Sequence, residues 1–304
     1  MSIFQDIKDS FRQPNNTLKQ LILINVIVFV VLVVSRTILS WSGSGWMFVA
    51  VMDYISLPSI PYVLLFRPWT LITYFFTHVD FLHIIFNMLN MYWFGQLVRE
   101  YLGDKRLLSL YILGGLAGGI LFVVLYNVLP LFSMTNAQMI GASASVLAIV
   151  VAAATLLPNY SFNLLLLGPV KIKYIAAVLV FVSFAFAAGE NAGGNIAHLG
   201  GALLGWVFVK QLQRGNDLGR PIHATFDFFT NLFKRKPKLK VSHRRTSGAA
   251  NGSKKSPGAT TTFTGPGKPS QNEIDRILDK ISSSGYESLS KEEKQKLFQA
   301  SQKE

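Results

Sequence analysis

The sequence predicts an all-α integral membrane protein, a bundle of six membrane-crossing helices followed by a basic cytoplasmic tail. Three observations carry this expectation. Half of the 304 residues are hydrophobic, and they gather in runs that approach or reach the ~20 residues a spanning helix needs. The charged residues lie mostly between those runs. The charge is also lopsided: from Lys210 to Glu304 there are 19 Lys and Arg against 9 Asp and Glu, so this tail holds +10 of the net +13.

Residues 1–17 read as a cytoplasmic leader of mixed charge. No small-residue cleavage site follows the first apolar run, so a cleaved signal peptide is not expected. The membrane domain is expected over residues 18–212, and its first helix begins with Leu21 to Val34. Ser40 to Phe66 is a long connection with Trp41, Trp46, Tyr54 and Tyr62, aromatic residues that suit the membrane interface. It reads as partly embedded. The second helix is expected from Phe81 to about Val98. The third, Leu107 to Leu125, carries Gly114, Gly115, Gly118 and Gly119, two overlapping GxxxG pairs that allow close helix contact. The fourth starts at Ser143 and ends near Leu157. The fifth ends near Ala188, and the sixth spans about Asn195 to Leu212.

Basic residues fall in Met1–Lys19, Arg99–Arg106, Lys171–Lys173 and the tail. Six helices place all four on one face, which the positive-inside rule makes the cytoplasm. Residues 213–269 form a basic and low-complexity linker. Within it Phe226–Phe233 is a short interfacial stretch, Lys234–Arg245 a basic cluster attracted to anionic headgroups, and Thr246–Pro269 a flexible segment. Residues 270–304 predict a small cytoplasmic helical hairpin that docks on an unidentified partner. Ser270 with Glu273 and Ser290 with Glu293 each match the S-x-x-E capping box, and Ile274, Ile277, Leu278 and Ile281 share a face. Interleaved acids and the lack of a recognition motif argue against nucleic acid.

Ionisable groups inside membrane helices point to function, and here they are few. His83 and Asn87 lie one turn apart on the second helix, His198 lies on the sixth, and the hydroxyl of Ser143 opens the fourth. Each has a bland reading: a packing histidine, an asparagine bridging helices, or small residues such as Gly141 and Ser145 packing at four-residue spacing. Their joint depth argues otherwise. Helices two, four and six all run inward from the outer face, and each carries its polar group in its first turns. A serine needs a base to become a nucleophile, and histidine titrates in the right range. Ser143 and His198 can be nucleophile and base. His83, Asn87 and the Ser143 N–H can donate to an oxyanion. No acid lies within a span, so a dyad is expected rather than a triad.

Metal is not expected, because His83, His198 and His78 lack ligand spacing and a thiolate or carboxylate partner. No cofactor is expected either. Gly201 and Gly205, with Ala197, form a small-residue stripe that would pack helix six against helix four.

At these residues the chain resembles the rhomboid intramembrane serine proteases of the six-helix bacterial type. Gly141-Ala142-Ser143-Ala144 is similar to the family's Gly-x-Ser-x motif, and Ala197-His198-Leu199-Gly200-Gly201 to its Ala-His-x-Gly-Gly motif. His83-x-x-x-Asn87 and Trp69 match as well. The resemblance implies Ser143 as nucleophile, His198 as base, an oxyanion site from His83, Asn87 and Ser143, and cleavage of membrane-anchored proteins in or near their transmembrane segments. It departs at three positions. Ala144 replaces a glycine, Thr70 replaces an arginine, and Leu147 replaces an aromatic that stacks on the base, which predicts a more loosely held His198. The alternative is a catalytically silent relative that binds membrane clients; such a protein has no need for both Ser143 and His198. A solute transporter would show an internal repeat and broken helices. The basic cytoplasmic face suits a bacterial inner membrane.

Overall fold

In a computed structural model, the structure describes residues 5, 9–10, 16–132, 135–164, 168–233, 271–284 and 288–301. The basic cluster Lys234–Arg245, the segment Thr246–Pro269, the cap at Ser270 and most of the leader lie outside these residues. The chain divides into two units, Met1–Pro237 and Lys238–Glu304.

The first unit is helical. Its long helices are α1 (Thr17–Trp41), α5 (Phe81–Leu102), α6 (Asp104–Val128) and α9 (Ala192–Gln213). Between them lie α2 (Gly45–Ile55), α3 (Pro61–Phe66), α4 (Thr70–Thr73), α7 (Ser143–Leu156) and α8 (Ile172–Ala185). Among the described residues, α1, α6 and α9 are long and apolar enough to cross a membrane. A fourth crossing results if the bent pair Thr70–Phe76 and α5 is one span. Helices lie at the six expected positions with shifted ends: α1 continues past Val34 to Trp41 and α6 past Leu125 to Val128, whereas α8 stops at Ala185, short of Ala188. Apolar side chains need no polar cue to stay helical where the surroundings are equally apolar.

The outer surface is apolar. Val31 on α1 is 57% exposed and Phe181 on α8 is 69% exposed, which in water would be costly and in lipid is not. The connection read as partly embedded contains α2 and α3, whose Trp46 and Tyr62 are also exposed.

Burial converges on α7. Ten of its fourteen residues are buried, because glycines bring both neighbours to backbone contact. On α6, a Cβ at Gly114 or Gly118 would lie within 2.6 Å of the Ala148 or Ala144 side chain. On α9, a Cβ at Gly201 or Gly205 would collide with the carbonyls of Ala144 and Ala148. The expected stripe on the sixth helix thus faces the fourth.

Non-local pairing fixes the approach to α7. Strand β1 (Leu57–Pro58) pairs antiparallel with β2 (Gln138–Met139). Ser59 extends the contact, donating its N–H to the Ala137 carbonyl and accepting the Ala137 N–H on its Oγ. A second hairpin, β3 (Ser161–Leu164) and β4 (Gly168–Lys171), joins α7 to α8.

The end of the bundle where α6 begins is tied by charge. The Asp104 carboxylate accepts the Thr17 N–H at 2.8 Å, placing an anion at the N-terminus of α1. Arg106 Nε donates to Asp217 at 2.9 Å, and Asp217 also accepts the Gly219 N–H just before α10 (Arg220–Phe233). Burial raises the Asp217 pKa, but the Arg106 and Gly219 hydrogen bonds outweigh it and hold the carboxyl below its ordinary value. A depressed carboxyl pKa stabilises the folded state above the unfolded value near 4 and loses that contribution as pH falls through the folded value. Protection of the α10 amides, taken as the exchange rate relative to the intrinsic rate at each pH, should therefore fall on acidification below about pH 4, and Asp217→Asn should lower it likewise at neutral pH. Equal protection in both proteins at both pH values would refute this role for the pair.

The second unit contains α11 (Gln271–Ser284) and α12 (Lys291–Ser301). The predicted box at Ser290 is formed: Ser290 Oγ accepts the Glu293 N–H at 3.2 Å and Glu293 accepts the Ser290 N–H at 2.8 Å. Lys280–Glu293 and Lys296–Glu273 ion pairs link the two helices. Ile277 is buried, whereas Leu278, expected on the same face, is exposed.

Candidate active site

Positions far apart in sequence meet in one cavity of about 590 Å³. Ser143 at the start of α7, His198 on α9, and His83 and Asn87 on α5 all line it. Asn87 is buried, and its Nδ2 donates one N–H to the His83 carbonyl at 2.9 Å, one turn back. The helix carrying His83 is started by Asp80, whose carboxylate accepts the His83 N–H at 2.7 Å, an N-cap.

The turn before Ser143 is held from outside. Gly141 N–H donates to the Tyr74 carbonyl at 2.9 Å, and Ala142 N–H donates to His78 Nε2 at 3.3 Å. Both N–H groups are therefore engaged, while the first turn of α7, from Ser143 on, has N–H groups without carbonyl partners in their own helix. That end is suited to receive an anion.

Gly141 lies outside α7, with φ +118°, a backbone conformation closed to residues with a Cβ. A Cβ there would also fall 2.6 Å from His83 Cε1. The helical stripe of Gly141 and Ser145, the bland alternative for this stretch, does not exist. Gly141 packs near the site through a turn whose backbone rests on the His83 ring. Gly201 and Gly205 do not line the cavity; they set the α7–α9 spacing behind it.

Two residues given no part in the site from sequence support it. His78 is fully buried, and its ring meets that of His83 edge-on at 5.1 Å between centroids. Ser183, on α8, lies 3.0 Å from His198 Nδ1. Where an aromatic at position 147 would meet the face of the His198 ring, the structure has a hydroxyl at its edge. Leu147 also lines the cavity. Thr70, at the other departure, is buried, and its hydroxyl donates to the Arg67 carbonyl; Arg67 in turn pairs with Asp53 and lies over the Tyr54 ring.

Among the described residues no group of three His, Cys, Asp or Glu could hold a metal ion.

Comparison with known proteins agrees with this architecture. Residues 66–214 match the Rhomboid domain, and residues 268–303 match DUF6576, a family of unknown function. RHOMBOID-like protein 12, mitochondrial, from Arabidopsis thaliana is 28% identical over 160 residues, which are 49% of this chain and 48% of that protein. Presenilin-associated rhomboid-like protein A, mitochondrial, from Danio rerio is 27% identical over 44% of this chain and 35% of its own length. Rhomboid protease GlpG from Haemophilus influenzae is 29% identical over 158 residues, 49% of this chain and 73% of that protein. The chain spans about half the length of the first curated relatives it matches. With the domain match extending from the first-loop boundary through the helix that carries His198, this integral membrane protein belongs to the rhomboid family.

Proposed function

We propose that the protein is an intramembrane serine endopeptidase that cleaves membrane-anchored proteins in or near their transmembrane segments. The observation that carries this reading is that Ser143 and His198, brought together from α7 and α9, line one cavity with His83 and Asn87. Ser143 Oγ attacks the scissile carbonyl carbon as its proton passes to His198. The oxyanion is received by the Ser143 N–H, His83 and the second amide N–H of Asn87. The C–N bond then breaks, His198 returns the proton to the departing amine, and water repeats the sequence on the acyl-enzyme.

The setting belongs to the same proposal. Six segments cross the membrane: α1, the bent pair ending in α5, α6, α7, α8 and α9. Helix α7 rises only about 21 Å against roughly 30 Å of hydrocarbon, so Ser143 begins below the surface and water can stand above it. Both termini face the cytoplasm, in a bacterial inner membrane, and the hairpin of α11 and α12 docks on a cytoplasmic partner. A silent client-binding relative would have no use for a serine and a histidine in one cavity.

The test is incubation of the full chain with a single-pass reporter in vesicles, with mass spectrometry of the products. A cut in or near the reporter's transmembrane segment is expected. A helical carbonyl is hydrogen-bonded and shielded, so proline-to-leucine changes near the cut should slow it. Cleavage undiminished in Ser143→Ala would reject the proposal, and turnover unaffected by the proline changes would reject its requirement for local unwinding.

A further inference from the structure

We infer that Ser183 is a positioning residue for the base, fixing the His198 tautomer so that Nε2 is the nitrogen free to accept a proton. This rests on the dyad reading above and adds a third member to it. Ser183 is 4% exposed, on a helix whose neighbouring Phe181 and Phe184 point outward at 69%. A buried hydroxyl among apolar side chains needs partners, and Ser183 has two. Its Oγ donates to the Leu179 carbonyl at 2.9 Å, one turn back, and stands 3.0 Å from His198 Nδ1.

One hydroxyl carries one proton. With that proton committed to Leu179, only the oxygen lone pairs face His198, so Nδ1 must be the donor. A neutral imidazole protonated at Nδ1 is bare at Nε2. In the opposite tautomer the Ser183 hydroxyl would have to leave the Leu179 carbonyl to donate to Nδ1, one hydrogen bond fewer, and Nε2 could not accept the Ser143 proton. After that transfer both ring nitrogens are donors, and Ser183 still accepts from Nδ1. The same bond therefore serves the resting base and the imidazolium. It does so without a buried carboxylate, which a membrane interior would penalise. It also ties α8, through a side chain, to the helix that carries the base.

Ser183→Thr and Ser183→Val have nearly the same shape and differ by the hydroxyl. The full chain, labelled with nitrogen-15 in histidine, is compared by imidazole nitrogen–proton correlation, the His198 signals being those lost in His198→Asn. Wild type and Ser183→Thr should show His198 protonated at Nδ1, and Ser183→Val should populate the Nε2-protonated form. In vesicles, Ser183→Val should lower kcat by about five- to tenfold, the worth of one neutral hydrogen bond, with KM unchanged and Ser183→Thr close to wild type. Wild-type His198 protonated at Nε2, or Thr and Val variants that behave alike in both measurements, would overturn the inference. If the tautomer is as stated but the wild type cleaves nothing, the protease reading fails and the structural role of Ser183 stands.

Discussion

His198→Ala is expected to lower reporter cleavage by about 10⁴- to 10⁶-fold, and Ser143→Ala to do the same. The two residues act in one step, so the double variant should be no worse than either single one. A proton that cannot leave Ser143 Oγ makes the histidine irrelevant, and a histidine without the serine has nothing to activate. Additive losses, with the double variant far below both, would mean that Ser143 and His198 contribute to separate steps. Small losses in either would mean that the cavity they line is not where the peptide bond breaks. Near-neutral outcomes at both positions would favour the client-binding alternative.

The second large effect is expected from a methyl group. Gly201→Ala places a Cβ against the Ala144 carbonyl, and Gly205→Ala places one against that of Ala148. A flexible side chain could swing away; a carbonyl within a helix cannot, because it carries its own hydrogen bond. Helix α9 must move back from α7. Overpacking of this kind costs roughly 1–3 kcal/mol of stability. The functional loss should be larger than that implies, because His198 lies one turn from Gly201 and Ser143 lies next to Ala144. A displacement near 1 Å between reacting groups can cost about a hundredfold in rate. Cleavage by Gly201→Ala is expected to fall by that order while the protein still folds, as judged by its thermal transition. Gly45→Ala, at a position with nothing within 4 Å, should leave both unchanged. Normal activity in Gly201→Ala would show that α7 and α9 have slack that the backbone contact does not suggest.

The residues of this cavity were legible from sequence because a bilayer makes polar side chains conspicuous. His83, Asn87, Ser143 and His198 stand out among apolar neighbours, and the expected helix directions bring them to one level, as their shared cavity does. Glycine patterns on α6 and α9 were legible for a related reason: close backbone approach demands small residues at fixed spacing. Three features had no such signal. The β1–β2 pairing joins Leu57 to Met139, and two-residue strands leave no periodicity to read. Gly141 looked like part of a helical stripe because spacing alone cannot show that its φ is positive. Ser183 was hidden by its own chemistry: a serine bonded to the carbonyl four residues back is tolerated in an apolar helix, so nothing distinguished it from a spacer until the fold brought His198 beside it. From sequence His78 is a candidate metal ligand only; its partner, the Ala142 N–H, is a backbone group that sequence cannot nominate.

The most direct measurement is covalent labelling of the solubilised full chain by a fluorophosphonate, which needs no knowledge of the natural substrate. Ser143 Oγ should bond to phosphorus as fluoride leaves, and its proton should pass to His198. A single adduct mapped to Ser143, absent in Ser143→Ala and strongly slowed in His198→Ala, is the predicted result. An adduct that persists in Ser143→Ala, or one at Ser143 that forms as fast without His198, would contradict the account.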